Sequence, residues 1–310
     1  MKTRWYLLAA VMMTGCRVSD VTYLPGSDSS DGVDAGARID GPLCYGSAPF
    51  SVCFAAVPTG TIDIATSTTF DTGTGLGDGT QLICRTPMSG GAGDCVLAAA
   101  TITINSPLRA VGTRPLVLVA AESIDVPTSI DVGSHQRTTE SIGAGSAPGE
   151  ACTSGAMPGN SGGGAGGSFL GRGGNGGNGA SATAGGGVSG MAVSPPTVLR
   201  GGCPGQNGHA FVGADTGAGG HGGGAVFLIA GKSITVGGTI NAGGEGGGGG
   251  GNRGSDPRAG GGGGGAGGMI GFDALHVMPD VISDLAHTQR GWNSISPSIL
   301  RRAAASDTSG

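Results

Sequence analysis

Thiols are the groups in this chain whose number and spacing promise chemistry. Seven cysteines occur. With Cys16 set aside, the rest form an even set: Cys44, Cys53, Cys84, Cys95, Cys152 and Cys203. An even set in an exported chain oxidises in pairs. Six thiols allow fifteen pairings. The two short local spacings favour Cys44–Cys53 and Cys84–Cys95, which leaves Cys152–Cys203. Free buried thiols are the competing reading.

Cys16 stands apart from that set. It ends the stretch MKTRWYLLAAVMMTGC. Lys2 and Arg4 make a positive start, Trp5 to Met13 an apolar run, and Thr14-Gly15 a small-residue pair. This is the layout of an export signal, too short to stay as a membrane-spanning helix. A cysteine directly after the small pair resembles the lipobox of bacterial lipoproteins, in which the thiol takes a diacylglycerol before cleavage. Met13 stands where leucine is usual. The plain alternative is a cleaved signal with an unrelated cysteine.

Other constellations carry less. Gly217 to Gly222 and Gly171 to Gly176 both spell G-x-G-x-x-G. A dinucleotide site needs a strand before that motif and a helix after it, and no helical periodicity follows either copy. Gly90 to Asp94, GGAGD, approaches a calcium-binding nonapeptide, but such sites work as stacked copies and this one occurs once. Cys203, His209 and His221 match no zinc spacing, and His135, His209 and His221 read as solvated loop histidines. Glycosidic cleavage needs paired carboxylates. Asp125 and Asp131 could supply them on one repeat, but the next repeat has Thr235 and Asn241 there. The sequence therefore predicts no catalytic residue, no metal site and no cofactor.

The elements that position these residues come from an internal repeat. Leu116 to Ser134, LVLVAAESIDVPTSIDVGS, aligns without a gap on Val226 to Gly244, VFLIAGKSITVGGTINAGG, at an offset of 110. Shorter echoes are TIDI at Thr61 to Ile64, VLAAATITI at Val96 to Ile104, and MIGFD at Met269 to Asp273. Each full unit has one nearly continuous apolar piece and two that alternate with period two, which means strands. Glycine-containing joints separate the pieces in the second copy. The expected fold is all-β: a short parallel β-helix or solenoid, with a small β-sandwich as the competitor. Ile234, Val236 and Ile240 should face inward; Thr235, Asn241, Asp125 and Asp131 should face outward.

Long insertions separate the units, His135 to Gly224 and Glu245 to Gly268, and they hold most of the 70 glycines. Glycine loses the most backbone entropy on ordering, so flexible loops are the first expectation. The competing arrangement is side-by-side polyproline-II-like chains, hydrogen-bonded between neighbours. The expected organisation is a signal at 1–15, a disordered acidic tether at 16–40 and a first β part at 41–134. A glycine-rich insertion follows at 135–224, then further coils at 225–274 that contain the glycine loop 245–268. From Leu275 the pattern breaks. MIGFDA opens a coil, no ITV-like second strand is evident, and 275–310 reads as a truncated or frame-shifted end. A short capping helix from Asp280 to Thr288 is the alternative.

Charge narrows the partners. Removing 1–15 takes away Lys2 and Arg4 and moves the formal charge from −5 to −7, with 14 basic against 21 acidic residues. No basic stripe exists, which argues against nucleic acid. Together, Cys16, the Asp-rich tether, LCYG and VCF around Cys44 and Cys53, RPLVLVA at Arg114 to Ala120, LRGGCPG at Leu199 to Gly205, and GGGAVFLIAGKSITVGGTINAGG at Gly222 to Gly244 resemble a family. It is that of the uncharacterised glycine-rich lipoproteins of myxobacterial type, and the likeness covers about residues 1–274. The resemblance implies an exported lipoprotein with a repetitive β domain and further coils after Asp273. It implies no activity. The resulting expectation is a non-enzymatic, structural or adhesive protein of the outer membrane, on its periplasmic or surface face. Its partners would be the membrane, through lipid on Cys16, and an envelope polysaccharide or protein. A carbohydrate-binding or carbohydrate-cleaving β-helix is the alternative.

Overall fold

The structure, a computed structural model, describes residues 43–77, 80–136, 142–146, 152–179, 185–193, 197–210, 216–251, 259–279 and 299–300. The chain divides into two compact units, Met1–Asp40 and Gly41–Gly310, and every described residue lies in the second. The signal, Cys16 and the 16–40 tether fall outside the described residues.

Among the described residues there are strands and no helix, so the described part of the chain is all-β. β1 (Leu43–Tyr45) and β2 (Val52–Phe54) form an antiparallel hairpin with Cys44 opposite Cys53. Successive rungs then stack in parallel. β3 (Thr61–Asp63) and β4 (Thr68–Asp71) make the first rung; the short β5 (Leu76–Gly77) pairs antiparallel with β4, and β6 (Thr80–Ile83) pairs antiparallel with β5. β7 (Cys95–Thr103) and β8 (Leu108–Val111) form the next rung, then β9 (Leu116–Val126) and β10 (Ser129–Asp131). β11 (Ala225–Ala230), β12 (Ser233–Val236) and β13 (Thr239–Asn241) repeat that rung. The 110-residue offset read from the sequence is the pairing register itself. Leu118 lies beside Leu228, Ile124 beside Ile234 and Ile130 beside Ile240.

Burial explains why the first piece of each repeat is continuous and the later ones alternate. Leu97, Leu118 and Leu228 face a core shared with Ile102, Ile124, Ile130 and Ile234. Their neighbours Val96, Val117 and Phe227 face a second core, with Val52, Phe54, Phe169 and Leu199. A strand covered on both faces has no place for a polar residue. In β12 only one face is covered. Ile234 is fully buried there, and Val236 and Ile240 pack partly buried against the same core, as expected.

The chain after Asp273 carries a second strand that the sequence did not make evident. β14 (Met269–Asp273) runs beside β11, and β15 (His276–Pro279) then supplies the second strand, Val277 beside Ile234. A parallel ladder is made by backbone groups, so one inward valine suffices to continue it; the letters ITV are not required. β16 (Ile299–Leu300) pairs with the outer edge of β14 over two residues, so that edge is partly covered. Asp280 to Thr288 lies outside the described residues.

The glycine insertions also depart from the first expectation. Their described parts are joined by backbone hydrogen bonds that recur every third residue. Gly202, Gly205 and Gly208 donate to Gly223, Gly220 and Gly217 in an antiparallel pair. Gly217, Gly220 and Gly223 donate in turn to Gly260, Gly263 and Ala266 in a parallel pair. Gly164 and Gly167 reach Gly261 and Gly264, and Gly163 and Gly166 reach Gly177 and Gly174. A three-residue period with bonds only between chains is that of polyproline II helices. Each turn offers one residue to each neighbour, and the neighbour is too close for a side chain. A Cβ on Gly205 would stand 2.1 Å from the carbonyl oxygen of Gly263. Hydrogen bonding between chains compensates the entropy cost that made flexible loops the default.

Candidate functional site

The six cysteines form three disulfides, Cys44–Cys53, Cys84–Cys95 and Cys152–Cys203, the pairing favoured by their spacing. The third ties the start of the first insertion to a segment 51 residues on. Arg200 lies buried against it. Its Nη2 donates to Cys152 Sγ at 3.0 Å and to Cys203 Sγ at 3.4 Å, and the guanidinium lies 5.6 Å from the centre of the Phe169 ring. Burial lowers the pKa of Arg200 from its usual value, and its Nη1 is buried without a partner among the described residues. Gln206 is a second cross-brace. Its Nε2 donates to Val188 O at 3.0 Å and Gly155 O at 3.2 Å, and its Oε1 accepts from the amide of Ala165 at 3.2 Å.

The outward positions gather a polar row that the sequence did not reveal. Arg109, Asp131 and Asn241 occupy successive rungs in register. Asp131 Oδ1 accepts from Asn241 Nδ2 and Gly133 N, both at 2.9 Å, and lies 3.1 Å from Arg109 Nη1. His135 Nε2 donates to Asp131 Oδ2 at 2.8 Å. Comparison of repeats showed only that Asp131 has no acidic counterpart at Asn241. The signal available was the Arg–Asp–Asn series across three rungs, hidden by the unequal spacing between them. Asp125, the other outward carboxylate, is exposed and pairs with Thr235 across the rung. His221 Nε2 lies 3.9 Å from Glu245 Oε2. Among the described residues no group of three or more His, Cys, Asp or Glu is placed to hold a metal.

A cleft of about 440 Å³ opens where the β1–β2 hairpin meets β9 and β11. Phe50, Val52, Pro115, Val117, Leu199 and Phe227 line it, and the Phe50 and Phe227 rings lie 5.2 Å apart. The GGAGD stretch forms one wall. Gly90, Gly91 and Gly93 all have positive φ, which bends the loop and brings Asp94 to the cleft. At Gly90 even an alanine is excluded, because its Cβ would stand 1.8 Å from Ser51 O. Among the described residues no donor reaches the carboxylate of Asp94, and burial pushes its pKa up to about 6. A pocket that is largely apolar, with one isolated ionisable group of shifted pKa, is the candidate binding site of this protein.

Comparison of the chain with models of protein families, with curated proteins and with solved structures finds no match in any of the three.

Proposed function

We propose that this chain is a non-enzymatic, lipid-anchored protein of the bacterial cell envelope with a structural or adhesive role. In this reading it belongs with the glycine-rich lipoproteins it resembles. Cys16 carries the lipid, residues 17–40 are the tether, and the body stands off the outer membrane on its periplasmic or surface face. The parallel rungs are read as a short β-solenoid, with the glycine chains packed along one flank. The observation that carries the reading is the cross-linking of the body. The Cys152–Cys203 disulfide and a three-residue ladder of backbone bonds hold segments far apart in sequence, and two further disulfides close short local loops. Disulfides persist in exported proteins, and a cross-linked body suits a protein whose task is to present a fixed surface.

Detergent phase separation tests the anchor. Two or more acyl chains hold a protein firmly to a membrane, one only marginally. Wild-type protein should enter the detergent phase, and Cys16→Ala should leave it or accumulate as an uncleaved precursor. Equal partitioning of the two would contradict the anchor. Protease treatment of intact cells then reports the face.

One observation favours the second reading, a carbohydrate-binding β-helix. The Arg109–Asp131–Asn241 row gathers polar side chains in register on adjacent strands, where sugar hydroxyls would exchange for the bonds these groups make to one another. A glycan array with reducing-end release measured in parallel separates the two readings. Binding that is lost in Asn241→Ala would favour the second.

A further inference from the structure

We propose that the cleft beside Asp94 binds a primary alkylammonium ion, either a free amine or the end of a lysine side chain. Three features of the cleft point to this class.

The first is the uncompensated carboxylate. Asp94 is half-buried, and among the described residues nothing donates to its side chain. A buried charge without a partner is costly, and a ligand that brings a positive charge and N–H donors removes that cost. Asp94 is the one titratable group among the described residues lining the cleft, and none of these lining residues is a cation.

The second is the apolar remainder. Val52, Pro115, Val117 and Leu199 offer surface to an alkyl chain and nothing to a sugar or a second charge. The third is the ring pair. Phe50, partly exposed and backed by the buried Phe227, lies in the same lining, and aromatic faces attract ammonium groups. A divalent metal fits less well, because calcium takes six or more oxygen ligands and the cleft supplies one carboxylate.

The test uses the full chain in neutral detergent and isothermal titration calorimetry. n-Pentylammonium is the probe; pentanoate and 1-pentanol are its anionic and neutral counterparts. At about pH 8, where Asp94 is ionised, pentylammonium should bind about tenfold or more tighter than either. Asp94→Asn should weaken it by about the same factor. Affinity should fall between about pH 8 and about pH 5 as the carboxyl takes up its proton. Should Asp94→Asn fail to give the wild-type circular dichroism spectrum, Val198→Trp serves instead. Val198 is 63% exposed at the rim, so a large ring there narrows the mouth without entering the core, and it should weaken binding. Equal affinity for pentanoate or pentanol would overturn the proposal. So would undiminished binding by a folded Asp94→Asn, or by Val198→Trp where that variant stands in. An N-acetyl, C-amidated Gly-Lys-Gly peptide separates the two sources. Tighter binding of the peptide than of pentylammonium points to a lysine side chain, and weaker binding to a free amine. Loss of the anchor in Cys16→Ala would leave all of these outcomes unchanged.

Discussion

Gly205 donates its amide proton to the carbonyl of Gly220 at 2.9 Å, and the same two segments meet again three residues along, at Gly208 and Gly217. Gly220 itself donates onward to Gly263 at 2.8 Å. One residue thus bonds two neighbouring chains, and only glycine leaves room for both. The glycine content is a packing requirement at these positions, in the way that valine is one in β9.

Position should therefore decide the effect of adding a single methyl. At Gly205 the new Cβ meets a backbone oxygen 2.1 Å away, while at Gly174 nothing lies within 4 Å. Gly205→Ala should destabilise by about 1–3 kcal/mol or more through overpacking. Gly174→Ala should be neutral, or stabilise by about 0.4–1 kcal/mol through the unfolded chain. Thermal melts of the two variants compare them directly; equal midpoints would mean that the glycine chains are not packed as described.

Gln206 joins three glycine-rich stretches with one side chain. Gln206→Leu keeps its bulk and removes its hydrogen bonds to Gly155, Val188 and Ala165. Ala165 is fully buried, and leaving its amide unpaired costs about 1–3 kcal/mol. A marked drop in melting temperature is expected, with faster proteolysis of the 152–209 region. A variant as stable as wild type would show that water replaces the amide.

In β12 the register sets a sharp contrast. Ile234 is fully buried, and its neighbour Thr235 faces away from that core. Burying an isoleucine contributes about 1.5–3 kcal/mol, and an aspartate there adds the cost of an unpaired charge. Ile234→Asp should abolish folding or lower the midpoint far more than Thr235→Asp. Similar losses in both would contradict the register.

Asp94 should make stability depend on pH. Burial pushes its pKa up to about 6 in the folded chain, from the ordinary aspartate value of 3.8. The folded state then holds the proton more tightly, so this group favours folding at low pH and loses that contribution as pH rises from about 4 to about 6. Asp94→Asn removes the ionisable group. It should raise the melting temperature relative to wild type at about pH 8, with a smaller difference at about pH 4.5. A constant difference across that range would mean that Asp94 is not desolvated.

The rungs were legible because a parallel ladder copies its inward residues. Leu118 and Leu228, Ile124 and Ile234, and Ile130 and Ile240 align in sequence and lie side by side in space. The disulfides were legible from spacing. The strand β15 was not, because His276 to Pro279 keeps a single inward valine and little else of the pattern. The glycine chains were open to two readings, since a run of glycines writes no period of its own. A partial signal existed in GGNGGN. Asn175 and Asn178 stand three residues apart, and each accepts a backbone amide, from Ser189 and Gly186, at 3.0 Å. Arg200 on the disulfide, the Arg109–Asp131–Asn241 row and the Asp94 cleft each join residues from distant segments. No local pattern marks them.

Hydrogen exchange along the backbone tests the central claim most directly, that the glycine-rich segments are built into the body through their hydrogen bonds. Mass spectrometry can follow peptides covering 159–167, 202–209 and 259–268, with β9 and β11 as internal references. The bonded amides Gly163, Gly166, Gly205, Gly208, Gly263 and Gly265 should exchange slowly, close to those of the strands, because they open only when the body does. Complete exchange of these peptides at the rate of an unstructured chain, while β9 and β11 stay protected, would contradict the account.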